Sequence, residues 1–303
     1  MAERVKLRVD ALVWDGHEIQ LCYEDPLPDE DVYRTRQRLR DVLREVSVPV
    51  TALAAVQNTL PHRNRVGVIR LVPRAHASPF HQVAGVGIID AVNPLIIGYS
   101  AKSSLLAEYY VTEIRRAIHM HGLADTPADE FAIAVPNPLE HLTADDAFAE
   151  IDDHKLAITW GKNARREKTQ GKRQQIVPLD SIHSIRYVPD HSIRYVPDDL
   201  DPDGIGYIQI TPTGTTPATQ PHPTEDPHSI LLFSSEQFAD GMLFAAHLAT
   251  LTPARFRAAN KTGEQDVVDN PVDELRTLLR LRDTQQISHQ DFEIRKWKLF
   301  RGI

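Results

Sequence analysis

The chain has 303 residues, 42% hydrophobic and 25% charged, with a formal net charge of −8 and a single cysteine, Cys22. That length accommodates one to three domains with genuine apolar cores, and the lone cysteine excludes an intramolecular disulfide framework and points to a reducing compartment. The acidic balance argues against a general affinity for nucleic acid, and the longest apolar run, around Val83–Ile89, stops at Asp90, far short of the ~20 residues a membrane helix needs. The opening MAERVKLRVD lacks the apolar core of a secretory signal, so a cytoplasmic protein is expected.

Taken in chain order, DGHEIQLCYE (15–24) alternates apolar and polar residues after a tight turn, which predicts a half-buried strand. An acidic stretch follows (Glu24, Asp25, Asp29, Glu30, Asp31), then a helical stretch with Arg36, Arg40 and Arg44 on one side and Leu39, Val42, Leu43 and Val46 on the other. VPVTALAAVQ (48–57) and GVIRLVP (67–73) read as further strands. The segment 93–118 reads as an apolar strand entering a serine-capped amphipathic helix. Ser103 or Ser104 is the expected N-cap, and Leu106, Tyr109, Tyr110, Ile114 and Ile118 are the expected buried stripe.

The same series then returns. DDHKLAITWG (152–161), VPLDSIHSIR (177–186), GYIQITP (206–212) and PHSILLFSSEQFADGMLFAAHLATL (227–251) match the four earlier blocks in the same order, with Ser235 at the second helix start. The chain therefore reads as one small domain built twice, 5–121 and 148–252, joined by 122–147. Strands first and one helix last predict an α+β arrangement, a curled antiparallel sheet crossed by a closing helix.

Within the second copy, HSIRYVPD (183–190) is followed at once by an identical HSIRYVPD (191–198). Val56 to Gly67 is eleven positions, whereas Ile185 to Gly206 is twenty-one, so the extra octapeptide falls in the turn between two matched strands. Because eight is even, a shift by one copy keeps each side chain on its face. A tolerated duplication and a binding role for the paired Tyr187 and Tyr195 are both open readings.

Between Trp160 and Ile176 the sequence gathers Lys162, Arg165, Arg166, Lys168, Lys172 and Arg173 against one glutamate. Such a cluster on a hairpin can meet the phosphates of anionic lipid or nucleic acid, or an acidic protein surface; it also suits a solvated tip that discourages aggregation. An acidic loop in one copy and a basic loop in the other further suggest that the two meet, within or between chains.

After a linker, 253–269, Asn270-Pro271 opens a helix with Leu275, Leu278 and Leu279 on one face. Ser288 caps a second helix carrying Phe292, Trp297, Leu299 and Phe300. Two helices this short cannot bury those faces alone. Residues 270–303 are therefore expected to self-associate with another chain or to dock on their own domains.

The ordering VP-x-x-x-I-x-x-I/V, a GYIQ-like strand, then strand and helix resembles a tandem bacterial PH-like (pleckstrin-homology-like) domain family of unknown function. The tail DELRTLLRLRDTQQISHQDFEIRKWKLF resembles the SHOCT (short carboxy-terminal) motif, with Gln285 nearest the place of its usual turn glycine. The resemblance implies two PH-like antiparallel β-barrel or sandwich domains, each closed by a helix, followed by a small α-helical hairpin. It also implies that a loop placed like 162–173 binds anionic headgroups.

No catalytic constellation is visible. DLDPDG (199–204) begins like a calcium loop but has Ile210 where the bidentate glutamate belongs, and GVGIID lacks the third glycine of a dinucleotide fingerprint. The histidines show no zinc spacing, and Cys22 has nothing nearby to mark a reactive thiol. The sequence thus reads as a non-enzymatic cytoplasmic adaptor without cofactor or metal, or as a peripheral binder of an anionic surface through 162–173.

Overall fold

In a computed structural model the chain is described at residues 3–6, 10–23, 31–61, 66–85, 88–189, 206–215 and 221–252. It divides into two compact units, Met1–Arg257 and Ala258–Ile303. Both repeats belong to the first. The tail expected to form a hairpin, with Leu275, Leu278, Leu279, Phe292, Trp297, Leu299 and Phe300, lies outside the described residues, as do Tyr195 and the second octapeptide.

The first repeat opens with a four-stranded antiparallel meander, β1 (Glu3–Lys6), β2 (Asp10–Trp14), β3 (Glu18–Tyr23) and β4 (Glu45–Pro49). The β2–β3 turn follows from its residues. Gly16 takes φ +98°, and the Asp15 carboxylate accepts the amides of His17 at 2.8 Å and Glu18 at 2.7 Å. Helix α1 (Asp31–Leu43) fills the β3–β4 connection. At Pro49 the chain leaves the first sheet through a 3-10 turn, Val50–Ala52. It then forms a second sheet from β5 (Leu53–Thr59), β6 (Gly67–Pro73) and β7 (Ile96–Tyr99). The short α2 (Pro79–Ala84), capped by Ser78, lies between β6 and β7, and α3 (Ser104–His121) closes the repeat.

The second repeat reproduces this plan. Strands β8 (His141–Thr143), β9 (Ala147–Asp152), β10 (Lys155–Trp160) and β11 (Gln174–Pro178) form the first sheet, with α4 (Arg166–Thr169) before β11. Strands β12 (Ile182–Val188), β13 (Gly206–Pro212) and β14 (Ser229–Leu232) form the second, and α5 (Ser235–Leu251) follows. The correspondence extends to individual bonds. Val50 N–H donates to His17 O at 2.8 Å as Leu179 N–H does to His154 O at 3.0 Å, and Arg74 N–H donates to Ala52 O at 2.8 Å as Thr213 N–H does to Ser181 O at 2.7 Å. A register irregularity falls between Leu53 and Ala55 in one repeat and between Ile182 and Ser184 in the other.

The architecture is α+β, as expected, with one correction: among the described residues the strands form four small open sheets and no closed barrel. The 3-10 turns after Pro49 and Pro178 break each ladder, because proline has no N–H to continue it. Strand β8 lies within the segment read as a linker, and the chain before it is tied down by amides of Ala128 to Ala75 O (2.8 Å) and of Ile133 to Ala77 O (3.1 Å).

The closing helices differ in their surroundings. Helix α3 buries Ala107, Tyr110, Val111, Ile114 and Ile118 and ends at Gly122 in the left-handed region. Leu106 and Tyr109, expected in that stripe, instead point outward, since the inner face is centred on the i, i+3, i+4, i+7 series that starts at Ala107. Helix α5, capped by Ser234 rather than Ser235, buries most of its length, including Phe238, Ala239, Met242, Leu243, Ala245 and Ala246, while Glu236 and Leu251 stay exposed. Gly241 provides the close approach, because a Cβ there would come within 2.8 Å of Leu232. The outer side of α5 packs against α1 and α2 of the first repeat, and Arg38 on α1 grips Asp240 through two bonds of 3.0 and 3.1 Å.

The first octapeptide supplies β12. Its Tyr187 is buried, and the hydroxyl donates to Phe238 O at 2.9 Å, which removes that ring from any ligand surface. Deleting 191–198 therefore leaves the strand residues in place and shortens only the β12–β13 connection. Loop closure entropy changes slowly with length, so urea unfolding should shift by less than about 1 kcal/mol. A collapse of the transition would show that the second copy is part of the folded strand.

Candidate functional site

Each repeat buries one carboxylate where its two sheets meet. Asp10, at the start of β2, accepts the amide of Gly98 in β7 at 2.7 Å and pairs with Arg40 of α1, whose guanidinium lies 5.5 Å from the Tyr23 ring centre. Asp146, just before β9, accepts the amide of Leu231 in β14 at 2.9 Å and pairs with Lys168 of α4, whose Nζ lies 5.4 Å from the Trp160 ring centre. Gly98 and Leu231 hold the same place in their sheets, one residue before Tyr99 and Leu232, which face Gly67 and Gly206. One arrangement, carboxylate to backbone amide, cation to carboxylate and cation over an aromatic ring, is thus built twice with different cations. Burial holds the Lys168 ammonium below the ordinary lysine range, although Asp146 and Asp226 oppose that shift.

This corrects the basic cluster. Lys168 is fully buried and cannot meet an external anion, whereas Lys162, Arg165, Arg166, Lys172 and Arg173 are exposed along the β10–β11 connection. The connection is anchored at its two ends, by Gly161 N–H to Asp146 O at 2.8 Å and Trp160 N–H to Arg173 O at 2.9 Å. Two apolar side chains stand exposed on the outer face of the same sheet: Phe148, stacked on His141 at 5.9 Å, and Ile176. The acidic stretch from Glu24 to Glu30, expected to oppose this loop, lies outside the described residues.

The sequence reading missed Asp226. This buried carboxylate accepts the His228 amide at 2.8 Å, Gln209 Nε2 at 3.0 Å and Ser229 Oγ at 3.0 Å. Burial would raise its pKa, but these bonds outweigh it and hold the carboxyl below the usual range. Asn93 does the same turn-forming work in the first repeat, accepting the Leu95 amide at 2.9 Å. The shared signal was an Asx residue three positions before an apolar strand, accepting the amide two residues on. Among the described residues, no His, Cys, Asp and Glu cluster could hold a metal ion, and no helix is long and apolar enough to cross a membrane.

Two stretches, 28–115 and 149–249, match the family described as domain of unknown function DUF4429, and together they cover more than half of the chain. The chain belongs to the DUF4429 family. No match to a curated protein or to a solved structure was found. The two DUF4429 matches fall one on each structural repeat, so the duplication read from the strand pattern is also a duplication of the family domain.

The buried pair separates Lys168 from its neighbours in sequence. Lys168→Ala would leave Asp146 buried without its counter-charge and should cost about 3–5 kcal/mol. Lys162→Ala or Arg165→Ala should stay within about 0.5 kcal/mol, as exposed substitutions do. Urea titration of the three variants checks this; equal effects would mean that Lys168 faces solvent with the others.

Proposed function

We propose that this DUF4429 protein is a non-enzymatic cytoplasmic adaptor. In this reading its two repeats are PH-like modules held as one body, and residues 270–303 form a SHOCT-like hairpin for self-association. The observation that carries it is the use made of the buried ionisable groups. Asp10, Arg40, Asp146, Lys168 and Asp226 each tie one chain segment to another, and this leaves recognition to the outer surface. Two meanders of four and three strands and a closing helix, repeated, support the PH-like assignment.

Light scattering on full-length Leu278→Asp/Leu279→Asp tests the hairpin. A lower mass than wild type at equal concentration is expected, and an unchanged mass removes 270–303 from self-association.

A second reading rests on the five exposed cations of 162–173, set beside Phe148 and Ile176: peripheral attachment to an anionic surface, lipid or nucleic acid. Juxtamembrane cations contribute about 1 kcal/mol each at an anionic bilayer, screened by salt. If this reading holds, the chain floats with phosphatidylserine vesicles at low salt and stays behind with phosphatidylcholine vesicles. Alanine at Lys162, Arg165, Arg166, Lys172 and Arg173 then abolishes flotation. Indifference to lipid charge leaves the adaptor reading alone.

A further inference from the structure

The two closing helices do the same work inside their repeats but not outside. Helix α5 packs against α1 and α2, whereas α3 turns large apolar side chains to solvent. Leu105 is 84% exposed, Tyr109 56% and Leu106 39%, three apolar side chains within five residues on one helix. Single exposed apolar residues are ordinary, but a row of them along a helix is a docking surface that lacks its cover.

The outward stripe has a regular spacing. Lys102, Leu106, Tyr109, Glu113, Arg116 and Met120 follow one another at four, three, four, three and four residues, the spacing of a coiled-coil seam with an apolar centre at Leu106 and Tyr109 and charged positions on either side. Lys102 sits in the 3-10 turn Ala101–Ser103 that leads into α3, and Met120 lies in its last turn. The seam carries its own complement when a second identical helix is laid antiparallel about a twofold axis near Ala107 and Glu108. Leu106 then faces Tyr109 of the other copy and Tyr109 faces its Leu106. Lys102 faces Glu113 of the other copy, whose carboxylate Arg116 of its own helix already holds at 2.9 Å, and Leu105 flanks the apolar centre on each side. A twofold contact must be self-complementary in this way, and a parallel pairing would instead set Lys102 on Lys102 and Glu113 on Glu113.

We infer that α3 is a self-association surface, at which two copies of the chain pair α3 against α3 in antiparallel register through Leu105, Leu106 and Tyr109, with reciprocal Lys102–Glu113 ion pairs. The residues involved are not those of 270–303, so a chain that uses both is divalent and can link more than two copies. The paired helices overlap over a few turns only, less than a standard-sized interface, so the association is concentration-dependent within the micromolar range rather than permanent.

Sedimentation velocity of the full-length chain across concentration, combined with charge reversal, tests this. Lys102→Glu and Glu113→Lys each place like charges opposite one another twice per pair, and each should weaken association about tenfold. The double variant Lys102→Glu/Glu113→Lys restores opposite charges and should recover it. Leu105→Asp/Tyr109→Asp should abolish this association with an unchanged circular dichroism spectrum, because neither side chain belongs to the core. The inference fails if the single reversals leave association unchanged, if the double variant does not recover it, or if the wild-type chain shows no self-association to remove. Rescue by the double reversal is independent of 270–303, so failure of the hairpin reading does not bear on it.

Discussion

The fold of each repeat hangs on a carboxylate that no water reaches. Two open sheets, four strands and three, must be joined at an edge where neither ladder supplies the other's hydrogen bonds, and proline interrupts the chain as it passes between them. Asp10 and Asp146 bridge that gap by accepting an amide of the second sheet while standing in the first. An unpaired buried carboxylate would cost several kcal/mol, so each bridge requires a cation, and the cation requires an element to carry it inward. In both repeats that element is the helix between the third and fourth strands, α1 or α4, and the aromatic ring at the end of the third strand, Tyr23 or Trp160, forms the wall on which the cation rests.

From this common requirement the repeats part company. In the first, the connecting helix runs thirteen residues, Asp31–Leu43, far more than is needed to deliver Arg40. The surplus, with α2, becomes the surface that receives α5, and Arg38 fixes it to Asp240. In the second, the helix is four residues, enough to deliver Lys168 and nothing more, and the rest of the connection is left as a cationic loop. The inner site is duplicated in substance, and the lengths around it decide what each repeat does outside: the first repeat binds the second, and the second keeps a charged connection at the surface.

Much of this was legible in the sequence because it depends on period and order. Alternation at period two placed the strands, and the first three paired blocks matched the repeats residue by residue, as the corresponding bonds of Val50 and Leu179 show. The match of VPLDSIHSIR to VPVTALAAVQ fitted the first octapeptide to β12. What depends on which element covers which was not legible. Lys168 sits among five surface cations in sequence, and only its partner Asp146, twenty-two positions away, shows that it turns inward. The outward direction of Leu106 and Tyr109 was hidden for a related reason: an apolar residue on a helix announces that it seeks cover, not that the cover is in the same domain. The barrel expectation failed because strand pattern carries no information about closure between the first and last strands.

The bare face of α3 is the other side of the same asymmetry. Had the second repeat kept a long helix like α1, a head-to-tail stacking in which each repeat's connecting helix covers the next repeat's closing helix would have had matching parts throughout. With α4 cut to one turn, the second repeat has no such surface, and α5 already occupies the one that the first repeat possesses. Helix α3 is thus excluded from the contact its counterpart enjoys, and its outward residues answer to a different partner. An exposed Leu, Leu and Tyr flanked by Lys102 before and Glu113 after is a sequence suited to meeting itself reversed, and that requirement follows from charge order alone. The duplication that set two repeats in one compact unit also left α3 with an exposed apolar row, and the spacing on that helix supplies the geometry by which a second chain can cover it.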